Sequence, residues 1–173
     1  MVECPGGEVK SMEVLFSLAL PRDEASVPVV RQLCRTSLQN IGVEPECVSD
    51  IELALTEACT NVLKHAFDSR EEYRVEIKLD KTKCSIAIID EGRGFDHSAL
   101  AKGEEAAMSA EGGRGIQLMR ALVDKVNFTS APEQGTMVHL VKTLALQEDS
   151  MLLNLGLSKP GGYGPPASVL AQE

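Results

Sequence analysis

The sequence predicts an α+β protein, a two-layer α/β sandwich with helices packed on one face of a mixed, mostly antiparallel sheet. Three observations carry that expectation. Segments of period-two and of helical apolar spacing follow one another as strand, helix, helix, strand, strand, long loop, helix, strand, strand, so the helices are grouped and do not alternate singly with strands. A chain of 173 residues fits one domain, which at this size buries roughly two-thirds of its unfolded surface without disulfides or metals. The 43 % hydrophobic content is ordinary, whereas the 3 % aromatic content requires a mostly aliphatic core.

Val14, Phe16, Leu18 and Leu20 recur at every second position and mark the first strand. Ser26 is a candidate N-cap and Pro28 suits a first helical turn. Val27, Val30, Cys34, Leu38 and Ile41 follow at helical spacing until Gly42 stops the helix. A second helix is expected from 44 or 45 to 66, with Val48, Ile51, Leu55, Cys59, Val62 and Ala66 as its apolar stripe. Tyr73, Val75, Ile77 and Leu79 alternate with Arg74, Glu76 and Lys78 in a half-buried strand; residues 80–83 turn, and 84–89 are apolar enough for a central strand. From 92 to 115 the pattern dissolves into Gly, Ala, Ser and charge. Ile116, Met119, Leu122 and Val123 restore a helix, and Val126 with Phe128, then 136–144, supply the last two strands. After about Leu146 the composition shifts, with Leu152, Leu153, Leu155 and Leu157 leading into Pro160-Gly-Gly-Tyr-Gly-Pro-Pro166. The expected organisation is a domain over 1–145 and a flexible or loosely docked tail over 146–173.

Lys and Arg number 17 against 26 Asp and Glu, a formal net charge of −9 with a pI near 4.9. This balance argues against a broad surface for nucleic acid or an anionic membrane. Cys4, Cys34, Cys47, Cys59 and Cys84 contain no C-x-x-C pair, and Cys34, Cys59 and Cys84 fall on apolar positions, so buried free thiols are expected. Glu3, Glu8 and Glu13 interrupt any leader-like opening, and the charge-free stretch 14–21 is too short to span a bilayer. A cytoplasmic protein in a reducing compartment is the expectation.

Three short segments carry the chemistry. Glu57 and Asn61 lie four apart on the second helix and so share one face, together with Asp50, Ala54, Lys64 and His65. A carboxylate one turn from an amide suits a nucleophile and Mg²⁺: the amide oxygen is a hard ligand, and the carboxylate can accept a proton from an attacking hydroxyl. Asp90 ends the apolar strand, and Gly92 and Gly94 permit a tight turn and close approach of backbone to a ligand, with Phe95 packing beneath. A carboxylate at that place can accept the exocyclic amine of adenine. Gly112, Gly113 and Gly115 precede the helix expected near Ile116, presenting free N–H groups and the positive dipole end to phosphate, with Arg114 as an added charge. Taken singly, each has a plainer reading: a solvated helix face, a turn ending a strand, a hinge before a helix. Together, in this order, they read as an ATP site. The dinucleotide and P-loop fingerprints are both absent, so the architecture must be another one.

In this order the segments resemble the N box and two G boxes of the superfamily that joins gyrase, the heat-shock chaperone ATPase, histidine kinases and MutL. Glu52-Leu-Ala-Leu-Thr-Glu-Ala-Cys-Thr-Asn-Val-Leu-Lys-His-Ala-Phe67 and Glu111-Gly-Gly-Arg-Gly-Ile-Gln-Leu-Met119 are similar to one branch, the anti-sigma factor serine kinases of the RsbW and SpoIIAB type. The resemblance covers roughly 12–144 and implies a Bergerat-type ATP-binding fold. It implies Glu57 as catalytic base, Asn61 as Mg²⁺ ligand, and Asp90 as the adenine-reading carboxylate with Gly92 and Gly94 as its loop. It further implies Gly113 and Gly115 as lid glycines beside the phosphates and Thr136, after Gly135, as a threonine that binds adenine through water. Some relatives carry a basic residue shortly before the lid glycines; this chain has Glu111 and Gly112 there and Arg114 between glycines. Arg31 resembles in placement a position that relatives use for partner contact. Members phosphorylate a serine on a STAS-type anti-anti-sigma protein, many also hold a sigma factor inactive, and they commonly form homodimers.

The expected activity is therefore an ATP- and Mg²⁺-dependent protein-serine/threonine kinase that regulates a sigma factor by partner switching. The segment 96–112 is expected as a lid that nucleotide orders. The competing expectation is a non-catalytic, nucleotide-dependent module that sequesters a regulatory partner. A sensor histidine kinase is disfavoured, since only His65, His97 and His139 are present and no separate helical hairpin carries a phosphoacceptor.

Overall fold

The computed structural model describes residues 13–65, 72–90, 110–131 and 135–154. Its elements are β1 (Val14–Pro21), α1 (Ser26–Ile41), α2 (Pro45–His65), β2 (Glu72–Leu79), β3 (Lys83–Asp90), α3 (Ala110–Leu122), β4 (Lys125–Ala131), β5 (Gly135–Thr143) and α4 (Met151–Asn154). The order agrees with the one read from apolar periodicity. The five strands form one sheet in the order β1-β2-β3-β5-β4, and every ladder in it is antiparallel. The expected mixed sheet is thus a wholly antiparallel one among the described strands. The reason is topological: β3 and β4 run the same way, but β5 returns between them.

Alternation along the strands puts one face under the helices. Tyr73, Val75, Ile77 and Leu79 of β2 and Cys84, Ile86 and Ile88 of β3 are buried, while their neighbours in sequence are not. Against them pack Val30, Cys34 and Leu38 from α1, Ile51, Leu55 and Cys59 from α2, and Met119 from α3. The core is aliphatic, as composition requires. Cys34, Cys47, Cys59 and Cys84 are buried free thiols. Burial pushes the Cys34 and Cys59 thiols up to about 12, so both remain neutral packing groups.

α2 is enclosed more fully than its sequence suggests. Ala54, placed on the polar face by spacing, is fully buried, as is Ala58, because α2 lies between α1 and α3 as well as on the sheet. Small side chains there let the flanking helices approach. Ser26 also departs from expectation. It opens α1 without capping it: its hydroxyl donates to the Asp23 carbonyl at 2.7 Å and meets the Tyr73 hydroxyl at 2.8 Å. Gly42 ends α1 as expected, at φ +89°, with Val43 N–H returning to the Leu38 carbonyl at 3.0 Å.

The packed structure continues past 145. Glu44 N–H donates to the Ala145 carbonyl and Gln147 N–H to the Gly42 carbonyl, each at 2.8 Å, and Val43 bridges Leu146. Ser150 and Leu152 are fully buried, with the Ser150 hydroxyl on the Ile41 carbonyl at 2.8 Å. The composition shift at Leu146 marks no structural boundary at that point, since Leu152 belongs to the core; residues 155–173 lie outside the described residues.

Candidate functional site

α2 and α3 meet face to face at the residues that spacing had selected. Glu57 and Asn61 lie on successive turns of α2, both half-buried. Across from them is Gly115, buried in α3. A Cβ built on Gly115 would stand 2.8 Å from Glu57 Oε2 and within 3.6–3.7 Å of both polar atoms of the Asn61 amide. No larger side chain fits without displacing the carboxylate. The Asn61 Nδ2 is buried and, among the described residues, has no hydrogen-bond partner. An orphaned buried amide is costly unless something else completes it, which makes Asn61 a candidate position.

The glycine segment is arranged differently from expectation. α3 begins at Ala110, not near Ile116, so Gly112, Gly113 and Gly115 lie within the helix and not in a loop before it. Glycine lowers helix propensity by only about 1 kcal/mol per residue, and packing on α2 overrides it. Arg114 is exposed on α3. Gly92, Gly94 and Phe95 lie outside the described residues, as does most of the expected lid, 96–109; its last residues, 110–112, open α3.

Asp90 ends β3 and is only 2 % exposed. It pairs in register with Thr136 of β5, so the two side chains stand on the same, helix-facing side of the sheet. Gly135, at φ +85°, precedes Thr136 as the chain enters β5. A buried carboxylate needs a countercharge. The structure supplies Arg22, just past the end of β1, whose Nη1 lies 3.3 Å from Asp90 Oδ1. The same guanidinium donates from Nη2 to the Val62 carbonyl at 2.8 Å, one residue beyond Asn61. Arg31, whose placement resembles a position relatives use for partner contact, is about half exposed and pairs with Glu52 at 3.5 Å, beside Arg35 at 3.0 Å.

Among the described residues no three His, Cys, Asp or Glu side chains converge on one point. An Mg²⁺ site of the expected kind needs none, since that ion takes one or two protein ligands together with phosphate oxygens and water. The Asn61 amide, hard in its oxygen and orphaned in its nitrogen, fits such a role. The four groups Asp90, Thr136, Glu57 and Asn61 can thus serve a ligand with a hydrogen-bonding base at one end and phosphates at the other.

Comparison with known proteins agrees with this geometry. Residues 20–142, which enclose all of these positions, match the family model described as the histidine kinase-like ATPase domain. The chain is 29 % identical over 143 residues to the serine-protein kinase RsbW of Halalkalibacterium halodurans, covering 79 % of this chain and 86 % of that protein. It is 30 % identical over 125 residues to the serine-protein kinase RsbW of Listeria innocua, covering 67 % and 80 % respectively. It is 30 % identical over 115 residues to the anti-sigma F factor of Pasteuria penetrans, covering 63 % and 77 %. The crystal structure of the RsbU and RsbW domains of a Mycobacterium tuberculosis protein has the same fold, with a TM-score of 0.58 at 19 % identity over 76 % of this chain; the match spans 32 % of that chain. On sequence, fold and site geometry together, the chain belongs to the histidine kinase-like ATPase domain family.

Proposed function

We propose that the chain is an ATP- and Mg²⁺-dependent protein-serine/threonine kinase that phosphorylates a STAS-type anti-anti-sigma protein and holds a sigma factor inactive. The observation that carries the reading is the facing of Glu57 and Asn61 on α2 by Gly115 on α3. The names of its relatives, serine-protein kinase and anti-sigma F factor, support the substrate class and the partner.

Each residue then has a role. Asp90 accepts the adenine amine, and Thr136, opposite it in the ladder, supports the same base through water. Gly92 and Gly94 let the chain pass close to the base. Gly113 and Gly115, with no side chains, let the α3 backbone approach the phosphates beside Glu57, and Arg114 adds a cation. Asn61 would hold the Mg²⁺, its amide oxygen being a hard ligand; bound there, that ion would neutralise phosphate charge. Glu57 accepts the proton of the substrate serine hydroxyl as its oxygen bonds to the γ-phosphorus and the bond to ADP breaks. The products are phosphoserine, ADP and the proton held by Glu57.

The test is transfer of labelled γ-phosphate from Mg·ATP to a serine of a cognate STAS protein by the full chain. Transfer is expected with wild type and is nearly abolished in Glu57→Ala. Wild-type protein that binds ATP and its partner without transferring phosphate would favour the sequestering module instead.

A further inference from the structure

Arg22 sits outside every motif that marks the site, yet it touches two of the elements that build it. Its side chain is 12 % exposed, against 3 % for that of Asp90, and one guanidinium spans from Asp90 Oδ1, at 3.3 Å, to the Val62 carbonyl, at 2.8 Å. Val62 lies three residues before the described end of α2, and its carbonyl gives the guanidinium a second acceptor. Arginine suits the position because its planar fork bonds two acceptors in fixed relation, which a lysine ammonium does not. A carboxylate has two oxygens and about four lone-pair sites, so the contact at Oδ1 still leaves Asp90 capacity for a base amine.

We propose that Arg22 is a positioning residue for base recognition: it neutralises and orients the buried Asp90 carboxylate, and it ties the end of β3 to the α2 turn that follows Asn61. The inference rests on the reading of Asp90 as the acceptor of the adenine amine. Arg22 itself touches no nucleotide; it acts through Asp90.

The role predicts a loss specific to the exocyclic amine. Calorimetry on the full chain would compare ADP with purine riboside diphosphate, which lacks that amine, for wild type, Arg22→Met, Arg22→Lys and Asp90→Asn. Arg22→Met is expected to weaken ADP about ten- to a hundredfold, the scale of a hydrogen bond to a charged group, while leaving the analogue unchanged. Arg22→Lys, which keeps the charge and loses the fork, is expected to fall between and carries the test if the methionine variant does not fold. Equal weakening of both ligands would show a merely structural role and overturn the inference, as would unchanged ADP affinity. If Asp90→Asn loses discrimination between the two ligands while both Arg22 variants keep it, the Asp90 reading stands and the Arg22 inference alone falls. If Asp90→Asn keeps it, both fall.

Discussion

The two ends of the candidate site are held in opposite ways. At the Asp90 end the charged group is 2 % exposed, and its countercharge, Arg22, is built into the protein. At the Glu57 end the carboxylate is half-buried against a glycine, and the neighbouring Asn61 nitrogen is buried without a partner among the described residues. At one end the buried charge has its countercharge within the described fold; at the other a buried polar atom has no partner among the described residues. A base is uncharged and needs a rigid, oriented acceptor, whereas phosphates and a metal ion bring strong charges that complete whatever they meet. On the proposed reading, the first end is preformed for a base and the second is completed by phosphates and the metal ion.

The largest effect expected from breaking the contrast is at Glu57. Glu57→Ala should slow serine phosphorylation by about 10²–10⁴-fold, the usual worth of a general base, while ATP binding measured by calorimetry survives. Asn61→Ala should weaken Mg·ATP binding as well as turnover. If the two variants behave alike, the division of labour on α2 is mistaken.

Gly115→Ala probes the same end more gently. Its new Cβ would meet Glu57 Oε2 at 2.8 Å, and since that atom ends a flexible side chain, the carboxylate moves at little cost to the fold. Misplacing a catalytic group by about an ångström costs roughly 10²-fold in rate, so turnover should fall by up to that factor with the melting temperature nearly unchanged. Wild-type turnover would show that the α2–α3 contact does not set the carboxylate.

At the other end, Asp90→Asn replaces an acceptor-only group with an amide that can present a donor to the adenine amine. ADP affinity should fall by about tenfold or more, at least about 1.4 kcal/mol, in calorimetry. Unchanged affinity would remove Asp90 from the site.

A control far from both ends is Gly42→Ala. The position combines φ +89° with a built Cβ only 2.7 Å from the Ser150 Cα. The left-handed conformation alone costs a non-glycine residue about 1–3 kcal/mol, which should lower the urea midpoint without altering ADP affinity. The smallest effect is in the thiol core behind α2. Because burial raises Cys34 and Cys59 from 9.0 to about 12, the stability they contribute is fully present below pH 9 and is lost as pH rises from there toward 12. Urea midpoints should therefore be insensitive to these groups near neutrality and fall in that alkaline window. A midpoint that already responds to Cys59→Ala through thiol ionisation near pH 7 would contradict the buried, neutral reading.

Much of this architecture was legible without coordinates. Strand and helix order, the stop at Gly42, the central place of β3 and the pairing of Glu57 with Asn61 on one face all follow from spacing, because side-chain direction repeats with the local backbone period. Relations between elements were not legible in the same way. That Gly112, Gly113 and Gly115 lie inside α3 depends on packing against α2, which outweighs the glycines' poor propensity. Leu152 looked like part of a loose tail because nothing local reveals that the chain returns beneath the end of α1.

Arg22 is the clearest case. The sequence by itself determined that Asp90 ends a buried strand, and so that its carboxylate would need a countercharge. Which of the 17 Lys and Arg residues supplies it was decided 68 positions away, by the antiparallel ladders that carry the end of β1 past β2 to the end of β3. Period and motif report what one segment does. The partner of a buried charge is set by which segment ends are brought together, and only tertiary structure does that.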